Sequence, residues 1–397
     1  MIFVAFGGLM ASLAAGYGVL FTIVDDYRDD YGISETAIGV VIGIGFVAAF
    51  LSQVLIAPYA DRGHARKVVL FGVGINVVGL LLMGFSTTLA PILIGRFISG
   101  LGIGAAVPAA RRIVILADPN HLGQNLGRLL AAEVFGFALG PAISAVLVGP
   151  LGIPAPFVVV AAATVVMLPF VARVAVDEGT GTAHRRLAVD LLRIRPFAGA
   201  VVLGAAVFVM IGSFDALWAL VHSDLGTTKW VANLGITLFA LPLIVLGPIG
   251  GRWAQVYGPF KVAVAGLMAG AVFMSLYGVM PTGGLIFAVA MLHAISDGFT
   301  VSSTGVAVGM TVPEERQAGA QGVLGGAQAL SAGVMAVVTG ALYDQFGRTV
   351  AYAVCGSVML VLVATGAWLA RSAWSLNRPL YVDGAIGPEP SPVPSTG

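Results

Sequence analysis

Cysteine is almost missing from this chain. Cys355 is the single thiol in 397 residues, so no internal disulfide can form. Charge is nearly as scarce. Asp, Glu, Lys and Arg make up 10% of the residues, against about 25% in soluble domains, which excludes a water-bathed globule. The net charge is +1, so nothing calls for nucleic acid as a partner. A Gly-rich phosphate loop, a metal-ligand spacing and a Gly-x-Ser-x-Gly nucleophile elbow are all absent. Bound ATP, a metal site and hydrolase chemistry have no footing here, and neither a cofactor nor an enzyme activity is expected.

What is present is apolar length. Hydrophobic residues are 58% of the chain and the mean hydropathy is +0.98. About 20 apolar residues cross a bilayer as a helix. Twelve such runs fit the sequence: 2–24, 37–59, 68–88, 90–110, 124–148, 154–174, 198–222, 230–252, 261–280, 284–310, 317–341 and 350–370. The first lacks a basic leader and is long enough to span, so it reads as a retained helix rather than a signal peptide. Cut this way, sixteen of the 20 Lys and Arg residues fall on one side. Only Arg28, Lys229 and Arg348 fall on the other, and Arg96 lies within a run. Basic loops stay cytoplasmic, so the sequence predicts a multi-pass protein of the cytoplasmic (inner) membrane with both termini inside.

The longest internal loop, around 175–197, carries Arg185, Arg186, Arg193 and Arg195 and divides six runs from six. This gives an expected bundle over 1–174, a linker over 175–197 and a second bundle over 198–371. Leu187 to Ile194 reads as a short helix on the membrane surface. The Pro-rich tail 372–397 reads as disordered. The halves also resemble each other. The stretch from Ala57 to Lys67 aligns with Gly251 to Lys261, and Arg96 to Gly100 with His293 to Asp297, at offsets near half the chain. Parallel six-helix repeats place a binding site between them near mid-bilayer.

Three motifs carry a family resemblance. Asp61-Arg62-Gly63-His64-Ala65-Arg66-Lys67 lies between the second and third runs, Arg96-Phe97-Ile98-Ser99-Gly100 in the fourth, and Gly136-Phe137-Ala138-Leu139-Gly140-Pro141 in the fifth. Together they resemble the signature motifs of the major facilitator superfamily, most closely its twelve-helix drug/proton antiporters. The resemblance implies an all-α membrane fold of twelve helices in two pseudo-symmetric six-helix bundles. It implies that Asp61, Arg62, Arg66 and Lys67 form a conformational latch, with Asp61 accepting from an arginine and from the N-terminus of a facing helix; a plain topogenic basic loop is the other reading. In the second-half copy Gln255 stands where the acid should be, which puts a matching latch in doubt. Arg96 would tune a nearby carboxyl, or be a structural arginine. Gly136, Gly140 and Pro141 would form a packing motif of the kind associated with proton-driven exporters, or pack as small residues commonly do in membrane helices.

Ionisable groups inside the runs are functional candidates by default. Glu133 is the leading candidate for proton coupling, with a static Glu133–Arg96 ion pair as the alternative. His293 and Asp297, four apart on one helix face, are either a proton-carrying pair or a hydrogen-bonded spacer. Asp215 would meet a substrate cation, shut the outer gate or sit on a wet rim. Tyr17, Phe21, Phe214, Trp218, Phe239, Phe299 and Gln328 are candidate substrate-lining residues, each with packing as its alternative. With no ATP site, energy must come from a gradient. The expected function is proton-coupled export of small hydrophobic or cationic compounds by a monomer, whose partners are a small-molecule substrate, protons and the lipid bilayer. The alternatives are an uptake symporter for a metabolite or sugar and, more remotely, a non-transporting sensor.

Overall fold

The computed structural model describes residues 2–175 and 187–379. Arg185, Arg186 and residues 380–397 lie outside them. In lipid every backbone N–H and C=O must be satisfied within the segment, which makes an apolar run a helix. The helices are α1 (Ile2–Tyr31), α2 (Glu35–Leu55), α3 (Ala65–Phe85), α4 (Leu89–Ala117), α5 (Leu122–Leu151), α6 (Pro154–Ala172) and α7 (Arg195–Asp224). They continue with α8 (Lys229–Tyr257), α9 (Pro259–Val279), α10 (Gly283–Thr300), α11 (Ser303–Thr311), α12 (Gln317–Phe346) and α13 (Arg348–Leu369). Twelve membrane-crossing units result, and the described residues contain no strand.

The internal repeat is written in the turns. Every positive-φ residue among those described is a glycine, and the six form three pairs: Gly32 with Gly226, Gly63 with Gly258, and Gly152 with Gly347. Their separations are 194, 195 and 195 residues (226 − 32, 258 − 63, 347 − 152). Only glycine adopts these conformations without steric cost, so matching turns recur after α1 and α7, α2 and α8, α5 and α12. Helices α1–α6 form one bundle and α7–α13 the other; one apolar cluster lies wholly in each, and a third, mostly in the first bundle, reaches across to Ala254, Val306, Met310 and Ala318 of the second.

Helix lengths depart from the apolar runs in two places that matter. Helix α4 continues to Ala117, past the expected end at residue 110, so Arg111 and Arg112 are helical rather than loop residues. The tenth run is broken: α10 stops at Thr300 and α11 begins at Ser303. Hydroxyls compete with the helical ladder there, with Thr300 Oγ1 donating to the Ser296 carbonyl at 3.0 Å and Ser303 Oγ to that of Thr300. Irregular backbone at membrane depth is tolerated where it lines a cavity, and Ser302 and Thr304 do so.

The expected surface helix is a 3-10 turn, Ala188–Arg193, fastened to the start of α12 by an Asp190–Arg316 ion pair. The tail is ordered further than expected. Arg371–Ala373 forms another 3-10 turn, and Trp374 and Leu376 bury apolar surface against the bundles; Phe3 lies under the Arg128 guanidinium, and the Leu376 carbonyl beside Gly258. Both described ends therefore lie at the same end of the bundle as the loops rich in Arg and Lys, here called the basic end.

Candidate functional site

A cavity of about 380 Å³ lies between the two bundles. Its charged lining residues are Arg111, Glu133 and Asp215; Tyr17, Phe46, Phe137 and Phe208 supply aromatic wall, and Gln321 and Gln328 polar contacts. A second chamber of about 190 Å³ adjoins it, sharing Val134, Phe137, Ile211, Asp215 and Leu243, and is lined further by Pro141, Phe214, Phe239, His293 and Asp297. Asp215 thus stands at the junction, open to both chambers and without hydrogen bond or ion pair among the described residues.

Glu133 is eleven residues into α5, about 16 Å from its start at a rise of 1.5 Å per residue. Its partner is Arg111, not Arg96: Arg111 Nη2 reaches Oε2 at 3.0 Å and Oε1 at 3.1 Å. Arg96 is 2% exposed. Its guanidinium lies over the Tyr17 ring, 4.6 Å from the centroid, and a Cβ on Gly45 of α2 would come within 2.2 Å of Nε. No carboxylate pairs with it among the described residues. Tyr17 sits between this buried cation and the cavity, its ring edge-on to Phe46 and tilted against Phe137. A desolvated cation–π contact is worth about 2 kcal/mol, far less than the desolvation of an ion.

In the second bundle His293 and Asp297 do meet, with Nε2 and Oδ1 3.5 Å apart. Tyr277 on α9 completes the group, its hydroxyl 2.8 Å from His293 Nδ1. Phe239 and Phe273 pack edge-on and face-on against the imidazole. A tyrosine, an imidazole and a carboxyl in line, opening on a chamber, can hold or pass a proton.

At the basic end the bundles are tied twice. Asp61, 5% exposed, accepts from Arg112 Nε at 3.1 Å and from the backbone N–H of Ala318 at 2.9 Å and Gly319 at 2.7 Å. Those N–H groups are the unsatisfied donors at the start of α12, where the helix dipole favours an anion. Its cationic partner is Arg112, whereas Arg62 lies over Tyr59, Arg66 donates to the Val174 carbonyl, and Lys67 is exposed. The other tie is Gln255, the residue in the place of the acid. Its Oε1 accepts from Gly123 N–H at 2.7 Å, and its Nε2 donates to the carbonyls of Asn120 at 3.0 Å and Pro119 at 3.2 Å. An amide, both donor and acceptor, meets the first turn of α5 without needing charge. The matching contact therefore exists. Beside it α5 and α8 touch backbone to backbone: a Cβ on Gly123 would lie 2.0 Å from the Gly251 carbonyl oxygen.

Other expected residues are dispersed. Gly136 and Gly140 press α5 against α1, where a Cβ at Gly136 would fall 1.9 Å from the Ala11 carbonyl oxygen. Trp218 is buried against Phe214 and His222, and Phe299 stacks on Trp253 at 4.7 Å; neither lines a chamber. The side chain of Phe21 lies outside the described set. Arg111, Tyr277 and Gln321 were missed. The one signal for Arg111 was the apolar pattern Ala109, Ala110, Ile113, Val114, Ile115, which carries the helix past it.

The family model of the Major Facilitator Superfamily matches residues 4–218 and 200–379. The chain belongs to the major facilitator superfamily. It is a transporter of that family by this match, and an integral membrane protein of twelve spans. An uncharacterised MFS-type transporter of Salmonella typhimurium is 26% identical over 335 residues, 79% of this chain and 82% of that one. A 4-hydroxybenzoate transporter of Pseudomonas aeruginosa is 34% identical over 116 residues, 28% of this chain and 25% of its own. Two solved structures share the fold, each covering 92% of this chain and 98% of theirs: the human organic anion transporter MFSD10 (TM-score 0.74, 17% identity) and the E. coli fucose:proton symporter (TM-score 0.75, 14% identity). The transporters that this facilitator resembles thus differ in what their names say they carry.

Proposed function

We propose that this facilitator is a proton-coupled exporter of small hydrophobic or cationic compounds, working by alternating access around the central cavity. The carrying observation is Asp215, an unpaired carboxyl between two chambers walled by aromatic rings. In the larger chamber Arg111 and Glu133 cancel, which leaves one formal negative charge and fits a monovalent cation bearing apolar surface. A proton and a cation cannot both occupy one carboxylate, so loading one displaces the other. The His293–Tyr277–Asp297 group lies on the smaller chamber, within reach of the same exchange. Glu133 with Arg111 forms a second coupling site, and Arg96 a fixed charge behind Tyr17. The basic end is read as cytoplasmic. On that reading the Asp61 and Gln255 ties are an inner gate, drawn here in its closed position.

Arg111 on the cavity wall favours a second reading. A guanidinium recognises a carboxylate bidentately, so a substrate acid entering with a proton could take the place of Glu133. A relative described as a 4-hydroxybenzoate transporter is consistent with recognition of such an acid. Sealed proteoliposomes of known orientation separate the two. An exporter moves a lipophilic cation against an imposed proton flow, whereas a symporter moves benzoate along with it. Flux of neither under either gradient defeats both and leaves a sensor built on this fold.

A further inference from the structure

We infer that the cleft between the bundles at the basic end is a binding site for a phosphate-bearing anion. The cleft has a volume of about 570 Å³. Asn120, His121 and Gln124 line it from the first bundle, and Arg252, Asn377 and Arg378 from the second. It is separate from the central cavity, with which it shares no lining residue.

Donor chemistry decides the class of ligand. Each guanidinium presents five N–H donors in a planar fork, and the three carboxamides add NH2 groups. Among the described residues no Asp or Glu lines the cleft. Among the described residues neither Arg252 nor Arg378 is ion-paired or hydrogen-bonded. One unpaired surface arginine is ordinary. Two converging on one concave space, from a helix and from the chain segment after α13, concentrate positive potential where no described residue's carboxylate lines the wall. The ring of His121 is partly answered already, 2.9 Å from Asp118. Gln255 is committed too, because its Oε1 holds the first turn of α5 and its Nε2 the carbonyls of Asn120 and Pro119 just before it. It forms a rigid wall and leaves the ligand to the arginines. A tetrahedral phosphate offers several strong acceptors and suits forked recognition. A phospholipid headgroup and a soluble phosphate compound share this chemistry.

The ligand would touch both bundles at once, beside the Gln255 tie. It would act as a removable bridge that holds the basic end shut and slows turnover. That consequence rests on the alternating-access reading above; the binding itself does not.

The test uses the whole protein in nanodiscs of neutral phosphatidylcholine. Inorganic phosphate is titrated against sodium chloride at matched ionic strength, and the unfolding midpoint is read. A parallel arm replaces part of the lipid with phosphatidylglycerol. Stabilisation by phosphate alone identifies a soluble anion, and stabilisation by phosphatidylglycerol alone identifies a headgroup; either supports the site. The R252Q/R378Q variant should weaken the effect by about tenfold or more in apparent affinity, the scale of losing charge-assisted hydrogen bonds. Both side chains are exposed, so the fold should survive their loss. Lys261 is exposed at the same end and does not line the cleft, so K261Q should change nothing. No stabilisation in either arm overturns the inference. So does equal stabilisation in R252Q/R378Q, or equal loss in K261Q.

Discussion

Replacing Asp61 by Asn should unlock the basic end. The carboxylate has three partners, Arg112 and two backbone N–H groups of α12, at 2.7–3.1 Å. Asparagine keeps the size and loses the charge, and its NH2 group would point donors at donors. Arg112, 2% exposed, would keep its charge without this counter-ion. Losing one member of a buried pair costs about 3–5 kcal/mol. On the alternating-access proposal the cost falls on the closed state, where the tie is made. At about 1.4 kcal/mol per tenfold, even the lower figure shifts the closed-to-open ratio by about 100-fold. Ser302 lines the cavity, and the native thiol of Cys355 is buried, so a Ser302→Cys reporter can be labelled by an impermeant maleimide applied from each side. Asp61→Asn should speed labelling from the basic side and depress transport, with expression largely intact. Arg112→Gln should act in the same direction, and the double variant by less than the sum. Unchanged labelling and wild-type transport in Asp61→Asn would refute the reasoning and reduce Asp61 to a marker of topology.

Glu133→Gln removes the pair with Arg111; gradient-driven flux should fall at least about tenfold while substrate binding persists, and the two are separated by measuring both on one preparation. For Asp215→Asn, affinity for a lipophilic cation should fall by about tenfold or more, the scale of a charge-assisted contact. In the parent protein that affinity should fall with falling pH, as a proton takes the carboxylate; a flat parent profile in a pH-stepped binding assay would count against Asp215. Gly123→Ala puts a methyl 2.0 Å from the Gly251 carbonyl oxygen, so it should pry α5 from α8 and speed basic-side labelling of Ser302→Cys; normal labelling would mean the seam is looser than drawn.

The helices and the repeat were legible because lipid leaves an apolar run one way to satisfy its backbone, and because Ala57 to Lys67 aligns with Gly251 to Lys261 at about half the chain; the paired turn glycines emerged only with the backbone angles. Asp61 was legible as an acid at a helix end. Its partner was not, since Arg112 looked like a loop charge until α4 was seen to run on to Ala117. The Glu133–Arg96 alternative failed for a related reason: α4 carries Arg96, Arg111 and Arg112, and Arg111, fifteen residues or about 22 Å further along the helix than Arg96, is the one level with Glu133. Gln255 was discounted for lacking charge, although an amide can accept from a free N–H at the helix start and donate to carbonyls of the turn before it. Tyr277 lies sixteen residues from His293 on another helix, and no linear spacing reveals such a contact.

The two ties at the basic end are unlike, and the difference sets how that end opens. On the α2–α12 side the fastening is electrostatic, a buried carboxylate between an arginine and a helix terminus. On the α5–α8 side it is a neutral amide beside glycines in backbone contact. Protonation or substitution can cancel the first, while neither pH nor salt acts directly on the second. On the alternating-access proposal both edges must part, and they would do so unequally. A change that cancels the Asp61 charge would lengthen distances between α2 and α12 before those between α5 and α8.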